Sequence, residues 1–264
     1  MANENMIAKE GASPAQPIVR TIGVTDLRDV LVKGIADFDA YPTHLVFLYL
    51  IYPIVGLILV RAAAGYDMLP LVFPLMSGFT LIGPLAAIGL YELSRRREQG
   101  LDVSLGKVAH VAQSPSIRAI AILSVVLLAI FGVWVSVAQD LYVMIFGSAE
   151  PTSIEEFARQ VLTTTSGWML IVVGCGVGFL FAVVVLTISV VSFPMLVDRN
   201  VGAVMAVQTS VRVVLANPVA MAAWGLIVTV GLVVGTLPFF IGLAVVLPVL
   251  GHSTWHLYRK VVEH

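Results

Sequence analysis

His252 and His256 stand four residues apart near the C-terminus, a spacing that puts two imidazoles on one helix face, one turn apart. Neutral imidazole ligates divalent metals and haem iron, so this pair beside a carboxylate has the donor types of a metal or haem site. His44 and Glu92 complete the set: His44 opens one apolar stretch, Glu92 closes the next, and both fall at the membrane depth of the histidine pair. A plainer chemistry competes. Trp255, Tyr258, Arg259 and Lys260 surround the histidines with interface side chains, where imidazole is partly hydrated and needs no cofactor. Arg95 and Arg96, three and four residues after Glu92, offer that carboxylate local ion pairs. The residues favour the interface reading, so neither a metal nor another cofactor is expected.

Other chemistry is sparse. No nucleophile elbow, phosphate-cradling glycine loop or paired-carboxylate motif occurs, and a non-catalytic protein is expected. The lone cysteine, Cys175, excludes an intramolecular disulfide and a Cys-rich metal finger; between Gly174 and Gly176 it reads as a small packing residue. A net charge of -1 argues against a nucleic-acid partner, which requires a concentrated basic face.

The elements that hold these residues follow from composition. Of 264 residues 59% are hydrophobic and only 12% charged, about half the charged fraction of an ordinary soluble domain, and the mean hydropathy is +0.98. The clearest stretch is 69–93, which is almost wholly apolar and runs into Ser94-Arg95-Arg96-Arg97. At roughly 1.5 Å rise per residue it crosses a hydrocarbon core of about 30 Å, and three adjacent guanidiniums hold its end on the cytoplasmic side. Five more spans are placed at 43–64, 119–146, 167–197, 219–236 and 239–258. The fold class expected is all-α: a polytopic six-helix membrane protein with amphipathic cytoplasmic surface helices.

Basic residues test the order. With the tail, the loops after the second and fourth spans and the C-terminus in the cytoplasm, only Arg61 and Arg159 of the 15 Lys and Arg residues fall outside. Arg95, Arg96, Arg97, Arg259 and Lys260 determine this topology, which places both termini in the cytoplasm. Residues 1–20 read as a disordered tail and 21–260 as one transmembrane domain. From Thr25, a plausible N-cap, Leu27, Val30, Leu31, Ile35 and Phe38 recur at helical spacing with Asp26, Arg28, Asp29, Lys33 and Asp37 on the other face. This amphipathic helix either lies on the membrane or packs on the protein's own loops.

The two longer cytoplasmic loops share a plan. Arg97 to Pro115 and Arg199 to Pro218 are steps of 18 and 19 residues, each a basic stop, an apolar-periodic stretch (Leu105, Val108, Val111, Ala112; Val204, Val207, Val211, Val214) and a proline before the next span. Such a plan fits parallel internal repeats, and equally the ordinary look of short loops. Outside, Ser153-Ile154-Glu155-Glu156 has capping-box form and predicts a short surface helix. Gly174-x-x-x-Gly178 and Gly231-x-x-x-Gly235 permit close helix contacts, within the bundle, in a homo-oligomer or with a membrane-protein partner. No Lys, Arg, Asp or Glu occupies the middle of any span, which weighs against an ion-coupled transporter. Pro53, Pro74, Pro84, Pro194 and Pro248 can free backbone groups, so a neutral or lipid-like substrate stays open.

Phe73-Pro74-Leu75, Gly78-Phe79, Leu81-Ile82-Gly83-Pro84 and the run Gly89 to Glu98 resemble the signature of a bacterial family of predicted integral membrane proteins, domain of unknown function 2189. The run Gly251 to Arg259 is similar to that family's ending, and the resemblance reaches over about residues 20–260. It implies a protein of the bacterial inner membrane with the lipid bilayer as its solvent, and implies no activity. Three functions fit: a non-catalytic accessory or scaffold component of a membrane assembly; a transporter or channel for a small neutral or lipid-like molecule; and a metal- or haem-binding redox accessory using His252 and His256.

Overall fold

The computed structural model describes residues 16–41, 43, 46–47, 51–52, 54–58, 61, 68–103, 111, 113–148 and 151–263, Phe79 by its backbone alone. Among them every regular element is helical, and the one extended pairing is an isolated antiparallel bridge between Val19 and Val262. The helices are α1 (Asp26–Ala40), α2 (Leu69–Gly78), α3 (Ile88–Glu98), α4 (Ile117–Phe146), α5 (Ile154–Thr163), α6 (Thr165–Ser189), α7 (Ser192–Asp198), α8 (Ala203–Ala216), α9 (Pro218–Thr236) and α10 (Leu243–Val261).

Four rods are long and apolar enough to cross a membrane: Leu69–Glu98, Ile117–Phe146, Thr165–Asp198 and Pro218–Thr236. They coincide with the second to fifth expected spans. The expected first span, 43–64, lies largely outside the described residues; within it, 46–47, 51–52, 54–58 and 61 are helical. The sixth, 239–258, is α10, which is not among the four and whose second half is deeply buried from Leu250 onward.

Local chemistry explains the breaks. In the first rod a 3-10 turn, Phe79–Ile82, and a short helix, Gly83–Ala86, join α2 to α3. Pro84 sits in that helix's first turn, where its missing N–H costs nothing. The irregular segment is braced by α4: the Trp134 indole N–H donates to the Pro74 carbonyl at 2.9 Å. Gly78 makes room for the same ring, since a Cβ there would stand 2.6 Å from Trp134 Cδ1. The N-cap half of the capping box forms: Ser153 Oγ accepts the Glu156 N–H at 3.1 Å, while the Glu156 carboxylate turns to Arg159 and Gln160 instead of reaching back. Thr25 does not cap α1; the Asp26 carboxylate accepts the Gly23 N–H instead.

Polarity is inverted relative to a protein in water. α6 turns Trp168, Met169, Val172, Phe179 and Leu180 outward, and α9 exposes Leu226, Val230, Val233 and Val234, as lipid-facing spans do. Of the glycine motifs, Gly178, Gly231 and Gly235 face Trp134, Val246 and Leu243 inside the bundle, whereas Gly174 faces open space. Cys175 is exposed on α6, which corrects the packing role expected for it.

Candidate functional site

α1 carries the decisive residue. Leu27, Val30, Gly34 and Asp37 recur at steps of three and four, so they form one stripe, and that stripe is buried against α10. The crossing is as close as backbones allow: a Cβ on Gly34 would stand 1.9 Å from Ser253 Oγ and 2.7 Å from the Ser253 nitrogen. A carboxylate on a buried stripe must find donors, because an unpaired buried charge costs several kcal/mol.

The donors come from two other helices. From α3, Ser94 Oγ donates to Asp37 Oδ2 at 2.5 Å and the Arg97 guanidinium pairs with Oδ1 at 2.5 Å. From α10, His256 Nε2 lies 2.8 Å from Oδ2, and His252 Nδ1 lies 2.8 Å from Ser94 Oγ. A hydroxyl has one proton. Since Ser94 gives its proton to Asp37, it accepts from His252, which assigns the His252 proton to Nδ1. His252 Nε2 is fully buried and, like Ser253 Oγ, has no hydrogen-bond partner among the described residues. Burial by itself raises the Asp37 pKa, but the hydrogen bonds from His256, Ser94 and Arg97 and the charge of His256 outweigh it, so the carboxyl titrates below its ordinary value of 3.8.

A second ring of ion pairs surrounds this hub. Glu98 accepts from the Trp255 indole at 3.0 Å and from Arg259 at 2.9 Å, and Asp198 of α7 accepts from the Tyr258 hydroxyl at 2.7 Å. Lys260 bridges Asp26 and Asp29 at 3.0 and 2.9 Å. The N-terminal segment closes the ring: Arg20 pairs with Glu263 and its amide donates to the Val261 carbonyl, while Ile22 and Arg20 hold the Asn217 side chain between α8 and α9. Arg20, expected at the end of the tail, thus takes part in these contacts.

The outcome for the expected site residues is mixed. His252 and His256 do share a face and meet at one hub. Their carboxylate is Asp37, which the sequence pattern places on the polar face of α1, and not Glu92. Glu92 is buried between its own neighbours, with Arg95 at 2.8 Å and Arg96 at 2.7 Å, beside a cleft of about 90 Å³ that Val111, Ser114 and Val197 also line. His44 lies outside the described residues. Trp255 and Tyr258, expected at a hydrated interface, are buried and hydrogen-bonded to acidic partners. Among the described residues no three His, Cys, Asp or Glu side chains are grouped so as to hold a metal. Ser94, Arg97, Glu98 and Asp198 enter the site unforeseen; for Asp37 the signal was present in its register with Leu27, Val30 and Gly34.

Tail, second-to-third loop, fourth-to-fifth loop and C-terminus thus touch one another at a single end of the molecule. No curated protein and no solved structure matches the chain. The family match stops short of α1 and of the run Gly251 to Arg259, on which the sequence resemblance also drew. From the first long rod to the end of the third, residues 72–198 match the model of the family described as predicted integral membrane protein (DUF2189), and it is this family of unknown function that the chain resembles.

Proposed function

We propose that the chain is a six-span protein of the bacterial inner membrane, both termini in the cytoplasm, that serves as a non-catalytic accessory or scaffold component of a membrane assembly. The observation that supports this reading is the use made of its polar groups. Asp37, Ser94, Arg97, His252 and His256 are engaged with one another in a buried knot that ties three helices, which is the work of a brace. The Thr165–Asp198 rod meanwhile lies on the rim with large apolar side chains outward, a surface that a partner helix can cover as well as lipid can.

Loop symmetry supports the same architecture. α8 forms in the second cytoplasmic loop where the repeat pattern places it; its counterpart around Leu105 and Val108 falls outside the described residues. Two parallel halves, each a span, a basic stop, a surface helix and a proline-started span, account for the pattern.

Purification in mild detergent tests the reading, with Cys175 as a native handle for cross-linking from the α6 rim. A reproducible larger species, cross-linked through Cys175, is the expected result. A lone monomer whose reconstituted vesicles take up a small neutral solute would replace this reading with the transporter one.

A further inference from the structure

α8 is inside out. Its buried face carries Ala206, Thr209, Ser210 and Val213, while Val204 and Leu215 are 71% and 73% exposed on the opposite face, with Val207 and Val211 flanking them half-buried. A surface helix in water does the reverse, keeping its valines in and its hydroxyls out. Here the hydroxyls serve the inside: Ser210 Oγ accepts the Val191 amide at 3.2 Å, at the joint between α6 and α7, and Thr209 bonds back to the Met205 carbonyl at 2.8 Å. Small and hydroxylated residues facing the bundle with branched apolar residues facing away is the pattern of a helix solvated by lipid.

Three further observations fix where that lipid is. The helix has 14 residues, about 21 Å at 1.5 Å per residue, too short for a core of about 30 Å. Both its ends are tied to the charged end of the molecule: Arg199, just ahead of it, donates to the Glu263 carbonyl at 2.8 Å, and Asn217, just after it, holds Ile22 at 2.7 Å and Arg20 at 3.1 Å. Large apolar side chains are exposed again along α9, where Val219 is 70% exposed and Leu226 and Val230 follow.

We infer that α8 lies flat in the cytoplasmic leaflet, at the boundary of headgroups and acyl chains, with Arg212 on its exposed flank taking an anionic phospholipid headgroup. Among the described residues Arg212 meets the neutral Gln16 side chain at 3.1 Å and forms no ion pair, so its charge is available to a phosphate. This inference rests on the bilayer reading above and adds to it a specific lipid-facing surface on a segment too short to span.

Nitroxide depth measurement tests it. In a Cys175→Ser background, Val204→Cys and Leu215→Cys proteins are spin-labelled in phosphatidylcholine nanodiscs with and without phosphatidylglycerol, and unsubstituted protein labelled at Cys175 serves as the membrane control. Labels at 204 and 215 are expected to collide more with oxygen than with a water-soluble nickel chelate, at like depth and shallower than the Cys175 label. Phosphatidylglycerol is expected to reduce the mobility of the 215 label, an effect that Arg212→Gln abolishes. Nickel-favoured labels at 204 and 215 with an oxygen-favoured Cys175 would overturn the inference and leave the bilayer reading standing; labels shielded from both reagents would overturn it in favour of a protein partner. A nickel-favoured Cys175 label would overturn both. A phosphatidylglycerol effect unchanged by Arg212→Gln would remove the headgroup role of Arg212.

Discussion

Asp37 is the residue on which the polar end turns, and its energetics can be signed. Because the folded protein holds its carboxyl below 3.8, the stability it contributes is present at neutral pH and is lost as the pH falls from 3.8 through the folded value. Asp37→Asn is expected to lower the stability of the detergent-solubilised protein at neutral pH by about 3 kcal/mol, the order measured when one partner of a buried pair is removed. It is also expected to flatten the acid-side loss seen in thermal unfolding against pH; an unchanged acid slope would place the pH sensitivity elsewhere. Sequence alone showed half of this site. The i,i+4 histidines were legible because helical spacing fixes their common face. Asp37 was legible only through its register with Leu27, Val30 and Gly34, since a carboxylate on an amphipathic helix is ordinarily solvated and it is the packing of α1 on α10 that turns its stripe inward. Ser94 was hidden in the same way, a small polar residue between an apolar run and an arginine triplet that drew attention to charge alone.

At the scale of the element, close helix crossings carry the account. Gly34→Ala puts a methyl into Ser253, and overpacking of this kind costs about 1–3 kcal/mol, so the variant should unfold at a lower temperature and release α1 to protease before the rest of the chain. The glycines of α6 make a contrast within one motif. Gly178→Leu must displace Trp134, whose ring carbon lies 3.0 Å from the added Cβ, whereas Gly174→Leu enters open space. The first is expected to destabilise by about 1–3 kcal/mol and the second to stay within about 0.5 kcal/mol, read from thermal unfolding in matched detergent. The G-x-x-x-G spacing identified the face but could not say which of its two glycines meets a neighbour. Four of the expected spans, by contrast, coincide with rods long and apolar enough to cross a membrane, because length and apolar content are read without knowledge of packing. The Ser153 N-cap was equally local, and it formed. α10 shows the limit: its apolar start and interfacial C-terminal residues read as a sixth span, yet the half that bears His252, Trp255 and Tyr258 is covered by α1, α3 and α7 and hydrogen-bonded to their acids.

For the whole molecule, the four segments that the basic residues assign to one side do meet there: Arg97 reaches Asp37, Arg259 reaches Glu98 and Asp198, Lys260 reaches Asp26 and Asp29, and Ser116 donates to the Arg199 carbonyl at 3.2 Å. α5, with Arg159 paired to Glu156, packs at the opposite end of α4, where the rings of Tyr142 and Phe157 meet at a tilt. Apolar rods with a charged cap at one end are the shape expected of a chain whose middle is solvated by lipid, and the proposed topology puts that cap in the cytoplasm. Reporter fusions measure this directly, with green fluorescent protein fluorescing only in the cytoplasm and alkaline phosphatase active only outside it. Fusions at the C-terminus and within residues 99–103 are expected to fluoresce, and a fusion ahead of α5, at residues 151–153, to give phosphatase activity. Phosphatase activity from the C-terminal fusion would contradict the account.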